Sequence, residues 1–194
     1  MRLREDVVLA PVTPGLQNAV VEEAWLHDAE INWKLGFGRG VIGTDVFVET
    51  FKDFIENPQD DTGFLGIYYK RKPVGFVGFT PIGRTADIFF YIAPEYRNKF
   101  GVASTALYWC LDGIFNYKDI FRVQFELLSI NKEAISFLRK FGFKQEGIKK
   151  SAYWMGVNAF NVVLLAMLKP EFNRLKEKQN GQYFWRRRLR QQKS

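Results

Sequence analysis

The feature that most restricts this chain is a change of apolar period between residues 86 and 116. Residues 86–92, Ala-Asp-Ile-Phe-Phe-Tyr-Ile, read as a strand that stops before Pro94. Beyond it Val102, Ala106, Leu107, Trp109, Cys110, Leu111, Ile114 and Phe115 recur every three or four residues, which predicts a helix. The link carries Arg97 and Lys99, and the helix starts without large side chains at Gly101 and Ala103. The backbone N–H groups of a helix N-terminus point outward with positive partial charge, so such a junction suits a pyrophosphate. Arg97 and Lys99 would add charge-assisted contacts. The bland alternative is a capped core helix after a solvated loop, and spacing alone divides the two evenly.

The flanks extend the same alternation. Residues 7–10 predict an N-terminal strand, broken by Pro11 and Pro14. Residues 17–35 show helical period and end in a glycine-rich link, residues 36–43. Thr44 and Asp45 can cap a second helix, whose face is Val46, Phe47, Phe51, Phe54 and Ile55 and which stops at Asn57-Pro58. Residues 64–69 and 74–79 predict a hairpin turning at Arg71-Lys72-Pro73. Residues 120–128 predict a strand, 133–141 a helix, and 143–144 and 162–168 two final strands. The sum is an α+β chain, β-α-α-β-β-β-α-β-α-β-β.

With 194 residues and 47% hydrophobic content the chain can bury one substantial core, so a single domain is expected. Its apolar runs fall far short of the roughly 20 residues of a membrane span. The charged opening and short apolar stretch at residues 7–12 do not form a secretory signal, so a soluble, cytoplasmic protein without membrane attachment is expected. One cysteine, Cys110, and one histidine, His27, supply neither a disulfide nor a zinc set, and no metal is expected. Residues 1–168 hold 19 basic and 19 acidic side chains while residues 169–194 hold nine and two, so the whole net charge of +7 lies in the last segment. The expected division is a folded domain over 1–168 and a basic C-terminal extension over 169–194.

A second segment, residues 127–147, places Asn131 where a strand gives way to a helix and Gly142-Phe143 where that helix ends. Local structure accounts for both as an N-cap and a C′ glycine. What local structure does not require is the two segments in this order. Pro94-Glu95-Tyr96-Arg97, Gly101-Val102-Ala103, Asn131, Gly142-Phe143 and Glu146-Gly147 together resemble the acetyl-CoA-binding core of the GNAT superfamily, in particular the branch that acetylates ribosomal-protein N-termini and related amines. The resemblance covers residues 86–168 closely. It implies the acyl-CoA N-acyltransferase fold, a mixed central sheet of about seven strands with flanking helices, and an enzyme that moves an acetyl group from acetyl-CoA to an amine.

That resemblance also implies a site. Strand 86–92 would splay from strand 120–128, with backbone groups of Tyr91, Ile92 and Ala93 lining the slot. Arg97, Asn98, Lys99, Phe100, Gly101, Val102 and Ala103 would hold the pyrophosphate, and Asn131 would meet the pantetheine arm. The loop departs from the family pattern, because Phe100 stands where the glycine usually falls and Gly101 comes one later. Either Asn98 takes the first position or the loop carries a bulge. Two carboxylates on the slot strands, Glu126 and Asp87, are the candidate bases, and the plain alternative for each is a solvent-facing strand residue. The family's tyrosine acid falls on Leu138 here, which leaves Tyr153 or water to protonate the thiolate.

Gly38-Arg39-Gly40-Val41-Ile42-Gly43 matches a dinucleotide fingerprint, but no strand precedes it, so a loop over the acceptor site is the better reading. The run Phe184-Trp185-Arg186-Arg187-Arg188-Leu189-Arg190 joins aromatic and cationic residues suited to nucleic acid, a ribosome or an acidic protein face. Against that stands a solvated helix end, or docking on another subunit, so monomer and homodimer both stay open. The rival function is a GNAT-fold binding module without acetyl transfer, working through that tail.

Overall fold

The computed structural model describes residues 3–12, 63–97, 99, 101–116, 119–155 and 157–179. The helices expected over 17–35 and after Thr44, the glycine-rich link, and the aromatic-cationic run at 184–190 lie outside the described residues. Seven strands form one sheet: β1 (Val7–Ala10), β2 (Gly63–Tyr69), β3 (Lys72–Ile82), β4 (Thr85–Ile92), β5 (Arg122–Leu128), β6 (Lys144–Met155) and β7 (Asn158–Leu168). Their spatial order is β1-β2-β3-β4-β5-β7-β6. Three helices are described: α1 (Val102–Asn116), α2 (Lys132–Phe141) and α3 over 169–179. No helix among the described residues is long and apolar enough to cross a membrane.

β1 to β4 pair antiparallel in chain order, β4 and β5 pair parallel, and β7 lies antiparallel between β5 and β6. Even-numbered residues of β4, namely Ala86, Ile88 and Ile92, join Val102, Ala106, Leu107, Leu111 and Ile114 of α1 in the core. Each such aliphatic side chain contributes about 1.5–3 kcal/mol by leaving water. α2 follows its sequence signals: the Asn131 side chain accepts from the Ala134 N–H at 3.3 Å, and Gly142 closes the helix at φ 126. Ile135, Leu138 and Phe141 form its buried stripe.

Three expectations are corrected. The β2–β3 turn is Lys70-Arg71, both left-handed with φ 50 and 67, while Lys72 and Pro73 already pair with Tyr69 and Tyr68. A two-residue loop of this hand matches strand twist, and a register shift at Ile67/Tyr68 gives Pro73 the irregular rung that a residue without N–H needs. Strand β5 begins at Arg122 rather than at residue 120. The last two strands are not short pieces but a long hairpin, with β6 running 12 residues from Lys144. β6 is an edge strand carrying Glu146, Lys149 and Lys150, and its register shifts between Gln145 and Gly147 and again between Lys149 and Tyr153. Charges and bulges protect an edge from pairing with other chains, and they also erase the period-2 signal. At the second bulge Ser151 is left-handed, φ 48, and its N–H donates to Asn161 Oδ1 at 2.9 Å.

Helix α3 is docked. Phe172 is buried against Tyr108 and Phe115 of α1, with ring centroids 5.4 Å away in each case. Lys176 pairs with Asp112 at 2.5 Å, and Lys144 with Glu171 at 2.5 Å. Cys110 lies on the same helix α1, and burial pushes its thiol up to about 12. It is therefore expected to resist an aromatic disulfide reagent at pH 7.5 in the native protein and to react stoichiometrically once denaturant is added, as read by absorbance.

Candidate active site

The centre of the sheet opens. β4 and β5 pair only at Thr85↔Arg122, Ala86↔Val123 and Asp87↔Gln124. Past that last rung β4 continues to Ile92 and β5 to Leu128, each held by its other neighbour, β3 on one side and β7 on the other. Two half-sheets therefore diverge from Asp87 and Gln124. The Ala93 N–H donates to the Val74 carbonyl at 2.9 Å, which sets the alternation along β4. Tyr91, Phe89 and Asp87 turn their peptide groups toward β3, and Ile88, Phe90 and Ile92 turn theirs toward the gap. Of the three residues expected to line the slot with backbone, Ile92 turns its peptide groups toward the gap, with its carbonyl accepting from Arg97 Nε, while the Ala93 N–H and, by alternation, the Tyr91 peptide groups belong to the β3 ladder. Buried peptide groups need partners, so a gap of this kind suits an extended ligand that pairs like a strand.

At the open end, Pro94–Tyr96 forms a single 3-10 turn and Gly101 sits at φ 66 immediately before α1. That left-handed conformation is the reason for a glycine at this position. The Gly101 carbonyl accepts from the Thr105 N–H at 3.1 Å and from the Ser104 hydroxyl at 3.1 Å. The N–H groups of Ala103 and Ser104, in the first helical turn, have no intrahelical acceptor available to them. Asn98 and Phe100 lie outside the described residues. Lys99 is exposed. Arg97 is folded back: its Nε donates to the Ile92 carbonyl at 2.8 Å, and its guanidinium lies 5.6 Å from the centroid of the Tyr91 ring. In this position Arg97 ties the loop to the end of β4. Tyr91 itself is buried and stacked on Phe76 at 5.1 Å.

The face of β4 away from α1 carries Asp87, Phe89 and Tyr91, and the matching face of β5 carries Arg122, Gln124 and Glu126. Asp87 Oδ1 accepts from Gln124 Nε2 at 2.5 Å. Gln124 Oε1 accepts from Arg122 Nε at 3.2 Å and Nη2 at 3.0 Å. Arg122 in turn donates twice to Glu146 of β6, at 2.6 Å each. This bidentate pair holds the Glu146 carboxyl below its ordinary value and raises the guanidinium. Glu126 lies two residues further along β5, about 7 Å toward the open end, and is ion-paired with Lys149 of β6 at 2.6 Å. Both candidate carboxylates thus stand on one face at the mouth of the divergence, Asp87 at its vertex.

Leu138 is 3% exposed inside the core, so the position offers neither a proton nor room for a polar group. Tyr153 is half-buried on β6, opposite Phe160 and just past the second bulge. Asn131 stands at the start of α2, where its side-chain oxygen accepts from the Ala134 N–H as the helix cap. Sequence reasoning missed Arg122, Gln124 and Lys149, and took Glu146 only as part of the Glu146-Gly147 motif and not as the partner of Arg122. The strict alternation Arg122-Val123-Gln124-Phe125-Glu126 was the available signal for the first two, since it marks one polar strand face.

A model of the acetyltransferase (GNAT) family matches residues 28–143. Among solved structures the chain is similar to spermidine N-acetyltransferase from Vibrio cholerae, solved with CoA and spermine, at 17% identity and TM-score 0.72 over 87% of this chain and 99% of that one. It is similar also to RimL, the ribosomal L7/L12 alpha-N-protein acetyltransferase solved with coenzyme A, at 15% identity and TM-score 0.70 over 86% and 96% of the two chains. A third likeness is to the microcin C7 self-immunity acetyltransferase MccE, solved with acetyl-CoA and AMP, at 19% identity and TM-score 0.65 over 85% and 93%. At such identities these structures speak for the fold, and the family match spans more than half of the sequence. With the diverging β4 and β5 and the glycine-initiated α1 in place, the chain belongs to the GNAT family of acetyltransferases.

Proposed function

We propose that this protein transfers an acetyl group from acetyl-CoA directly to a primary amine, with Asp87 as the base. The observation that carries the reading is the end of β4–β5 pairing at Asp87↔Gln124. A carrier whose pyrophosphate meets the first turn of α1, through the segment Arg97 to Ala103, would run its arm along Ile92, Phe90 and Ile88 with Asn131 opposite. Its thioester would then reach the vertex. There the amine nitrogen bonds to the carbonyl carbon, the C–S bond breaks, and the thiolate takes up a proton from water or Tyr153. A gap-facing N–H of β4 would polarise the carbonyl.

The acceptor must arrive as an ammonium and react as an amine. A terminal α-amine costs about 1 kcal/mol to deprotonate at pH 7 and a lysine-type amine about 4.6 kcal/mol. Asp87 and Glu126 on the acceptor face draw the cation in, and the Phe89 ring beside them adds an electron-rich wall. The test has two parts. Calorimetry should show coenzyme A binding at micromolar to submillimolar levels, and a thiol-release assay should show turnover of acetyl-CoA with at least one member of a panel of polyamines, amino sugars and short peptides. Properly folded protein that leaves coenzyme A unbound at millimolar concentration refutes the proposal.

A further inference from the structure

We infer that Gln124 is a positioning residue for Asp87, locked in one orientation by the Arg122–Glu146 pair. The inference rests on the reading of Asp87 as the base. An amide side chain can be turned over without a change of shape, so its direction is decided by what surrounds it. Arg122 has donors and no acceptor, so the face of Gln124 turned to it must be the oxygen. Two contacts, 3.2 and 3.0 Å, fix that choice. The NH2 group then has to face Asp87, which it meets at 2.5 Å.

Directionality passes along the whole row. Glu146 accepts two bonds from Arg122 at 2.6 Å and so fixes the guanidinium plane. The guanidinium fixes the amide, and the amide fills the Oδ1 site of Asp87 with a donor. Oδ1 is thereby committed to accept, and Oδ2 is left as the atom that receives a proton from the incoming amine. The row crosses from β6 to β4 at the rung where pairing between β4 and β5 ends. It therefore holds the carboxylate still at the one place where the sheet ceases to do so.

Gln124→Glu separates this role from a structural one, because it keeps the shape and the acceptor for Arg122 while turning the donor facing Asp87 into a second acid. Two facing carboxyls hold a proton to higher pH. The expected result is a fall in kcat of roughly tenfold or more with KM for acetyl-CoA within about twofold, and an acidic limb of the kcat/KM profile moved upward by about one pH unit. Gln124→Met, which removes the donor without adding charge, should lower kcat with a smaller displacement of the limb. It also serves if the glutamate variant does not fold. Melting temperature and coenzyme A affinity near those of the parent identify folded protein with an intact slot. Unchanged kcat and an unchanged profile in a folded Gln124 variant overturn the inference. If Asp87→Asn is impaired while Gln124→Glu is not, the inference alone falls. If Asp87→Asn turns over at the parental rate, the assignment of the base falls and the inference with it.

Discussion

Asp87→Asn is expected to lower kcat/KM by about 10²- to 10³-fold, with little change in coenzyme A affinity. General-base catalysis contributes about 10²–10⁴-fold, and the asparagine cannot take a proton at neutral pH. The substitution is nearly isosteric, and the amide can still accept from Gln124 Nε2 through its oxygen, so the row from Glu146 remains connected. Glu126→Gln should cost less, about 3- to 10-fold and mainly in KM for the amine, because the Glu126 carboxylate is half exposed and already neutralised by Lys149 at 2.6 Å. Steady-state kinetics with varied amine, together with calorimetric titration of coenzyme A, checks both statements. A larger loss in Glu126→Gln than in Asp87→Asn would move the base from Asp87 of β4 to Glu126 of β5.

Gly75→Ala is expected to destabilise the fold by about 3 kcal/mol, a fall in melting temperature of about 6–12 °C for a chain of this size. A Cβ built on Gly75 would stand 2.1 Å from the Tyr91 carbonyl oxygen and 3.1 Å from the Ile92 Cα. The obstacle is backbone and cannot rotate away. Relief requires β3 and β4 to separate at the Gly75↔Ile92 rung, and this is the rung next to the Arg97–Ile92 tie that ends the slot. Coenzyme A affinity should therefore weaken in whatever fraction stays folded. Gly113→Ala is the matched control. Nothing lies within 4 Å of its added Cβ, and a glycine inside a helix costs about 0.5–1 kcal/mol relative to alanine, so this variant should melt higher. Thermal unfolding followed by circular dichroism distinguishes the two directions.

Much of the architecture was legible because it is written in local period. The switch at residues 86–116 marked β4 and α1, Asn131 and Gly142 marked the ends of α2, and apolar runs bounded by turn residues marked β2, β3 and β5. β6 escaped because its two bulges and edge charges break the alternation that reading depends on. The candidate carboxylates were legible as types on strands. What each is paired with was not, because the partners stand 37 residues away for Asp87 and 23 for Glu126.

The sequence by itself marked β1 to β5, α1, α2 and β7 in their order, and the glycine that lets α1 begin where it does, since each of these follows from side-chain period, turn residues or the backbone freedom of one residue. The tertiary structure alone decided that β4 and β5 part company at Asp87↔Gln124, and that Glu146, Arg122 and Gln124 line up behind the carboxylate at that point. The physical reason is register. Which residues of two strands face each other depends on how each is held by its outer neighbour, and those restraints come from segments far apart in the chain, where no local pattern records them.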